Sequence, residues 1–178
     1  MPLYFIIIIL VALDGLILAA TAAVGMTLDG KPAMDLHFKL GLLASFFTCF
    51  IHVLVLFYFI GTGKDIRDAV EDHPELAARF VPWTRAQKRR VFPPACFSLT
   101  FIILATLLGG EVHSRILAAG GGTALPFRGV TAWWIHLVAV VAALISSAFA
   151  FYTEIAAVRD NRRAIEELNE ALTAIENG

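Results

Sequence analysis

Four apolar segments divide the chain, and each is long enough to cross a membrane as a single helix. They run over residues 3–26, 36–61, 94–118 and 130–152, with polar residues between them. A hydrocarbon core is crossed by roughly 20 helical residues, a length that each segment reaches. The pattern therefore predicts an all-α integral membrane protein with four transmembrane helices.

The polar stretch 62–93, between the second and third segments, is predicted to be a cytoplasmic loop. Its first part continues the helical pattern, and His73-Pro74 is expected to break it, because a proline disfavours helix at the preceding residue. Pro93-Pro94 suits the first turn of the third transmembrane helix, where the missing backbone N–H costs nothing.

The fourth segment passes into a polar, helical continuation. After Tyr152, apolar residues recur at helical spacing as far as Ile175. We therefore predict a four-helix membrane domain over residues 1–152 and a cytoplasmic C-terminal helix over residues 153–178. Glycines at 120–122 mark the loop between the third and fourth helices.

The distribution of cations predicts the orientation. Residues 64–90 hold seven Lys or Arg, and three more Arg follow the fourth segment, at positions 159, 162 and 163. The other two loops hold fewer cations, namely Lys31, Arg115 and Arg128. The positive-inside rule then places both termini and the long loop in the cytoplasm, giving an up-down-up-down bundle. Trp133, Trp134 and Phe127 lie near the opposite interface, as expected of an aromatic belt.

Composition supports a membrane protein and excludes some other classes. The chain is 58% hydrophobic with a mean hydropathy of +0.76, whereas soluble domains are about 45–50% apolar. A net charge of −1 gives no basic character that would favour nucleic acid as a partner. Cys49 and Cys96 form no metal-binding or haem-attachment motif, so we interpret them as small buried hydrophobic residues.

Four histidines lie in or at the edges of the apolar segments: His37, His52, His113 and His136. Because a bilayer makes polar side chains costly, an ionisable residue there is a functional hypothesis by default. His37 and His52 are fifteen residues apart, which places them roughly 22 Å apart in depth and about 60° apart around the helix. His37, His113 and His136 are expected to meet in the outer half, with His52 deeper.

Two carboxylates accompany these histidines. Asp14 lies near the middle of the first helix, close in depth to His52, and Glu111 precedes His113 by two residues. A carboxylate beside a neutral imidazole orients it as a ligand, and either acid would also serve a proton relay. Gly41 and the pair at 109–110 lie one turn from histidines and leave room for a flat macrocycle, although small residues also let helices approach closely.

Two histidines about four turns apart on one transmembrane helix resemble the ligand-bearing helices of membrane b-type cytochromes. The resemblance implies a four-helix bundle holding two stacked haems, with His37 as an outer ligand and His52 as an inner one. This chain departs from that pattern, because its third and fourth helices carry one histidine each, His113 and His136.

From this resemblance we expect an electron-transfer subunit that binds one haem b, or two, with the iron held by two of His37, His113 and His136. It would belong to a respiratory or quinone-linked complex in a bacterial inner membrane. Other subunits or a second copy would dock on the loop and the C-terminal helix, with quinone as a further partner. No catalysis is expected on this chain alone, since it has no nucleophile elbow, phosphate loop or HExxH motif.

Three alternatives remain open on the sequence. The three outer histidines and Glu111 would suit a copper, zinc or iron ion. Asp14, His52 and His136 would suit a proton or ion pathway. Finally, the histidines would stabilise helix packing by hydrogen bonds in a non-catalytic accessory subunit.

Overall fold

The computed structural model describes residues 3–26, 30–118, 126–127 and 130–177. Within these ranges the chain is helical apart from one turn and a minimal hairpin. The elements are α1 (Leu3–Met26), α2 (Gly30–Ala69), α3 (Pro74–Ala118), β1 (Pro126–Phe127), β2 (Val130–Thr131) and α4 (Ala132–Glu176). All four helices are long and apolar enough to span a membrane, and β1 pairs antiparallel with β2.

α2, α3 and α4 are each longer than the apolar segment that they contain. α2 has 40 residues, and α3 and α4 have 45 each. At about 1.5 Å per residue, a 45-residue helix is roughly twice as long as a hydrocarbon core is thick. α4 is one uninterrupted helix, as its sequence pattern predicts. The glycines at 120–122 and Arg128 lie outside the described residues.

The stretch 62–93 differs from the loop that we expected. α2 continues to Ala69, and α3 begins at Pro74, twenty residues before the predicted start at Pro94. The break at His73-Pro74 is present as a tight turn, in which the backbone N–H of His73 donates to the carbonyl of Val70 at 3.0 Å. The second and third apolar segments are therefore joined by a helical hairpin.

α3 also continues through Pro82, Pro93 and Pro94. Each proline removes a backbone hydrogen bond and strains the preceding turn, which is why the sequence suggested that the helix starts there. The packing of α3 against α4 offsets this cost, because Val91 and Ala95 on either side of the proline pair are fully buried. Pro74 takes the first helical position, where proline is favoured.

Successive helices pack side by side along their lengths. Asp14 of α1 contacts Thr48 of α2, Ser45 of α2 contacts Thr106 of α3, and Ser98 of α3 contacts Ser147 of α4. Arg90 of α3 pairs with Asp160 of α4 at 3.0 Å. Between α3 and α4 the residue numbers therefore rise on one helix as they fall on the other.

The outer surface of the helices is apolar over most of its length. Large side chains such as Leu16, Phe46, Leu107 and Ile145 are 66–74% exposed. Soluble monomers rarely expose so large a continuous apolar area. The interior holds many small residues instead, among them Ala44, Ala95, Ala105, Ala143, Ala150 and Ala157, which let the helices approach closely.

A separate apolar core lies where the long helices leave the apolar segments. It joins the end of α2, the start of α3 and the end of α4 through five buried side chains: Ile66, Val70, Phe80, Ala164 and Leu168. Charged residues surround it, including the ion pair of Arg79 with Glu167. The arrangement is that of a small water-exposed helical unit continuous with the four apolar helices.

Candidate functional site

A cavity of about 560 Å³ lies between the four helices at the end of the bundle where α2 begins. This volume is within the roughly 300–1,000 Å³ of small-molecule and cofactor sites. Its wall is mostly apolar, and three of the predicted site residues line it: His37, His113 and His136. We call this cavity the histidine pocket.

His37 of α2 and His136 of α4 face each other across the histidine pocket. Their ring centroids are 6.4 Å apart, and the two ring planes are nearly perpendicular, at 81°. A metal bound between two imidazole nitrogens at roughly 2.0–2.1 Å from each leaves the two centroids roughly 6 Å apart. The distance between the two ring centroids is close to this value.

The hydrogen bonds of both rings fix which nitrogen is free. His37 Nδ1 donates to the carbonyl of Thr21 at 2.9 Å, and His136 Nδ1 donates to the carbonyl of Ala105 at 3.1 Å. A carbonyl can only accept, so each Nδ1 carries the hydrogen. Nε2 of each ring makes no hydrogen bond to any residue that the structure describes, and its lone pair is available for a metal. Metal-binding histidines almost always have such a partner on the other nitrogen.

Two glycines make room for these rings. A Cβ atom at Gly25 of α1 would lie 2.6 Å from Cε1 of His37, and one at Gly109 of α3 would lie 2.9 Å from Cε1 of His136. Both distances are shorter than real contacts, so any other residue would displace the ring. Gly41 and Gly110 also line the pocket. Gly109 was expected near the site from its position, whereas Gly25 was not.

His113 and Glu111 differ in their relation to the pocket. His113 lines it, with its ring stacked on Phe38 at 4.5 Å between centroids and Nε2 3.7 Å from Oδ1 of Asp35. Glu111 is exposed and forms an ion pair with Arg115 one turn further along α3. The structure therefore brings three histidines to the cavity and directs Glu111 away from it.

His52 lies elsewhere, in a group of side chains that we call the His52 cluster: His52, Ser98, Ser147 and Glu154. His52 Nδ1 is 2.8 Å from Oε1 of Glu154, and His52 Nε2 is 2.7 Å from Oγ of Ser98, which bonds to Ser147. The imidazole is fully buried and stacks on Phe151. Both its nitrogens have protein partners, so neither is free to bind iron.

Asp14 takes a structural position between α1 and α2. It is fully buried and accepts hydrogen bonds from the hydroxyl of Thr48 at 2.8 and 3.1 Å. Thr48 lies one turn before His52, so Asp14 is near the His52 cluster, although Glu154 is the carboxylate that bonds the imidazole. Asp14, His52 and His136 form no continuous hydrogen-bonded path among the described residues.

Glu154 is the buried partner of His52 that sequence reasoning missed. We had assigned it to the water-exposed continuation of α4, because the apolar segment ends at Tyr152. Its position carried a usable signal: it follows His136 by eighteen residues, which is five helical turns, so the two share one face of α4. His37 and His52 likewise share a face of α2, and the two faces meet.

The described residues contain no group of three His, Cys, Asp or Glu side chains close enough to hold a metal ion. The metal site expected from three histidines and Glu111 is therefore not formed by these side chains alone. No family model, curated protein or solved structure matches this chain.

Proposed function

We propose that the chain is a membrane b-type haem protein in which His37 and His136 would hold the iron of one haem. The observation that carries the proposal is the pair of facing imidazoles, each with its Nδ1 hydrogen fixed by a backbone carbonyl and its Nε2 free beside a large apolar cavity. His52 has no free nitrogen, and we propose no haem there.

The composition of the histidine pocket favours a flat macrocycle over a bare ion. Two imidazoles do not complete the coordination of copper, zinc or iron, which needs about four ligands or more. The rest of the wall is largely apolar, so the remaining donor atoms must come from the bound molecule. A porphyrin would supply the remaining donor atoms, and Gly25 and Gly109 leave room for the rings of His37 and His136 that would hold its iron.

We further propose that the four helices span a membrane in an up-down-up-down bundle with both termini in the cytoplasm. The cations at 64–90 and those in the C-terminal half of α4 then lie on the cytoplasmic side, together with the water-exposed helical unit. Trp133 and Trp134, which are 42% and 53% exposed at the start of α4, then lie at the opposite interface. The histidine pocket opens near that outer surface.

In this arrangement the protein transfers electrons. A bound haem would supply one-electron exchange, and the chain would supply the imidazoles of His37 and His136 as ligands, an apolar environment and exclusion of water. We propose that it serves a larger respiratory or quinone-linked complex of a bacterial inner membrane, docking through the water-exposed helical unit. Substrate chemistry then belongs to a partner subunit.

The test is a visible spectrum of the full chain purified in detergent, oxidised and then reduced with dithionite. We expect a red protein with a sharp Soret band and close to one haem per chain. His37→Ala and His136→Ala should each lose the low-spin spectrum, because each removes one axial ligand. His73→Ala, in the turn between α2 and α3, is the matched control and should retain it.

Other outcomes would contradict the proposal in distinct ways. A colourless protein with one copper, zinc or iron ion per chain would favour a non-haem metal site. A colourless and metal-free protein that co-purifies with a larger complex would favour a non-catalytic accessory subunit. Two haems per chain would require a second pair of ligands that the geometry of His52 does not offer.

A further inference from the structure

Two cations meet at Gly63, just past the end of the second apolar segment. The Nε hydrogen of Arg67 donates to the carbonyl of Gly63 at 3.1 Å. Lys88 reaches the same residue from α3, since a Cβ atom at Gly63 would lie 2.7 Å from Nζ of Lys88. Because glycine has no side chain, the ammonium group of Lys88 lies directly against α2, close to the guanidinium group of Arg67.

Neither cation pairs with a carboxylate in the part of the chain that the structure describes. Lys64, Arg67 and Lys88 take no part in the ion pairs of these residues. Burial lowers the pKa of Lys88, and the charge of Arg67 lowers it further, because two like charges repel. Asp29, the only acidic side chain outside the described residues, adjoins the other end of α2, roughly 50 Å of helix from Gly63. We therefore expect the counter-charge to come from another molecule.

The face of α2 that bears Arg67 is apolar and exposed within the second apolar segment. Val53, Phe57 and Ile60 are 39%, 67% and 47% exposed. In steps of about 100° per residue, these three, Lys64 and Arg67 fall within one sector of roughly 80° around α2. With the helices across a membrane, lipid chains lie along the apolar part of this sector, and lipid headgroups lie at the level of the cations.

We propose that the two cations at Gly63 bind the phosphate group of one anionic phospholipid, whose acyl chains lie along Phe57 and Ile60. This inference goes beyond the haem site and rests only on the proposed membrane span. A zwitterionic phospholipid has the same phosphate but also carries an ammonium group, which the cations repel. The positive-inside rule explains why cations occur in this stretch, but it does not explain why two of them meet without a counter-charge.

The experiment is native mass spectrometry of the full chain in detergent, titrated with phosphatidylglycerol or with phosphatidylcholine of the same acyl chains. We expect wild-type protein to bind the first phosphatidylglycerol about tenfold more tightly than the first phosphatidylcholine, since basic residues at the membrane surface attract anionic lipid. Arg67→Gln combined with Lys88→Gln should bind the two lipids with nearly equal affinity.

A second double variant is the matched control for charge. Arg159→Gln combined with Arg162→Gln removes two positive charges as well, but these arginines already pair with Asp160 and Glu166 on α4. The preference for phosphatidylglycerol should therefore remain.

A pair of glycine variants tests the placement of Lys88. Gly63→Ala puts a Cβ atom where Nζ of Lys88 now lies close to the backbone, so the ammonium group must move and the preference should fall. A Cβ atom at Gly61 meets nothing within 4 Å, so Gly61→Ala should keep the preference. Equal preference in the two variants would contradict the proposed position of the ammonium group.

Other results would overturn the inference as a whole. Equal affinity of wild-type protein for the two lipids would do so without any variant, and so would a full preference in the variant without Arg67 and Lys88. An equal loss in both double variants would show a general attraction of cations for anionic lipid instead of a site. Displacement of the lipid by an equal concentration of inorganic phosphate would assign the two cations to a soluble phosphate compound.

Failure of the haem proposal gives a different result. A colourless protein that keeps the lipid preference would contradict the haem site alone. A chain that stays monomeric in solution without detergent would contradict the membrane span, on which both proposals rest.

Discussion

His37 and His52 lie on the same side of α2, yet one borders a cavity and the other is completely enclosed. Their partners on α4 show the same contrast. His136 faces His37 across open volume, whereas Glu154 bonds directly to His52 at 2.8 Å. His37 and His52 are roughly 22 Å apart along α2. At both positions the facing residue is on α4.

The neighbouring side chains account for the difference. Beside His37 and His136 the adjacent helices present Gly25 and Gly109, which leave space. Beside His52 they present Ser98 as a hydrogen-bond partner and Phe151 as a stacking surface. These two side chains fill the space next to the ring. An imidazole within an apolar helix is therefore no indicator of a cofactor by itself. A free nitrogen beside empty volume is the feature that distinguishes the two.

The His52 cluster and the histidine pocket also differ in what they contribute to the stability of the fold. The His52 cluster satisfies nearly all of its polar atoms internally, although Oε2 of Glu154 is buried without a partner among the described residues. Such a network holds three helices, α2, α3 and α4, in one register. The histidine pocket leaves Nε2 of His37 and Nε2 of His136 without a hydrogen bond to any described residue, so a molecule that binds there would add to the stability of the folded chain.

The largest expected effect is on stability, from Glu154→Leu. This change leaves His52 Nδ1 fully buried without a partner, and a buried polar group that loses its hydrogen-bond partner costs roughly 1–3 kcal/mol. Unfolding in mixed micelles, followed by circular dichroism, measures the loss. The low-spin haem spectrum of the folded fraction should be unchanged, because the His52 cluster is distant from the iron.

A double variant tests the cause of that loss. His52→Leu with Glu154→Leu removes both polar groups, and replacing a buried pair by apolar residues is often neutral or stabilising. We expect it to recover most of the stability lost in Glu154→Leu. A folded Glu154→Leu protein without the haem spectrum would show instead that the histidine pocket depends on the His52 cluster.

Much of this arrangement is local enough to be predicted from the sequence. Residue counting along an ideal helix brought His37, His113 and His136 to one level and separated His52 from them. The prolines of α3 were misleading because their cost is local, whereas the packing of Val91 and Ala95 that offsets it is tertiary. Glu154 was missed for a related reason. By hydropathy the apolar segment ends two residues before it, and the carboxylate is buried because it bonds to His52, a tertiary contact that the sequence does not show.

An intermediate effect is expected on haem affinity, from Gly25→Ala. The new Cβ atom would lie 2.6 Å from His37, so the ring must shift from its position as ligand. We expect haem to bind at least tenfold more weakly, which corresponds to about 1.4 kcal/mol. Titration of haem into the haem-free protein, followed at the Soret band, measures the change.

Gly15→Ala on the same helix is the matched control. A Cβ atom there meets nothing within 4 Å, so haem affinity should stay at the wild-type value. Both changes raise helix propensity by a similar amount, roughly 0.5–1 kcal/mol, which removes helix stability as an explanation for a difference. Equal affinity in the two variants would mean that the position of the His37 ring does not depend on Gly25.

The smallest effect should come from the outermost member of the His52 cluster. Ser147 bonds to Ser98 at 2.7 Å, and Ser98 keeps its bond to His52 when Ser147 is replaced. Ser147→Ala therefore removes one buried hydrogen bond, which is worth about 0.5–1.5 kcal/mol of unfolding free energy. Ser146→Ala is its neighbour control, because the Ser146 hydroxyl bonds only within α4, to the carbonyl of Ala143. If the free energy of unfolding falls by the same amount in both variants, the hydrogen bond between Ser98 and Ser147 does not stabilise the packing of α3 against α4. The stabilising contact of the His52 cluster would then be the one between His52 and Glu154.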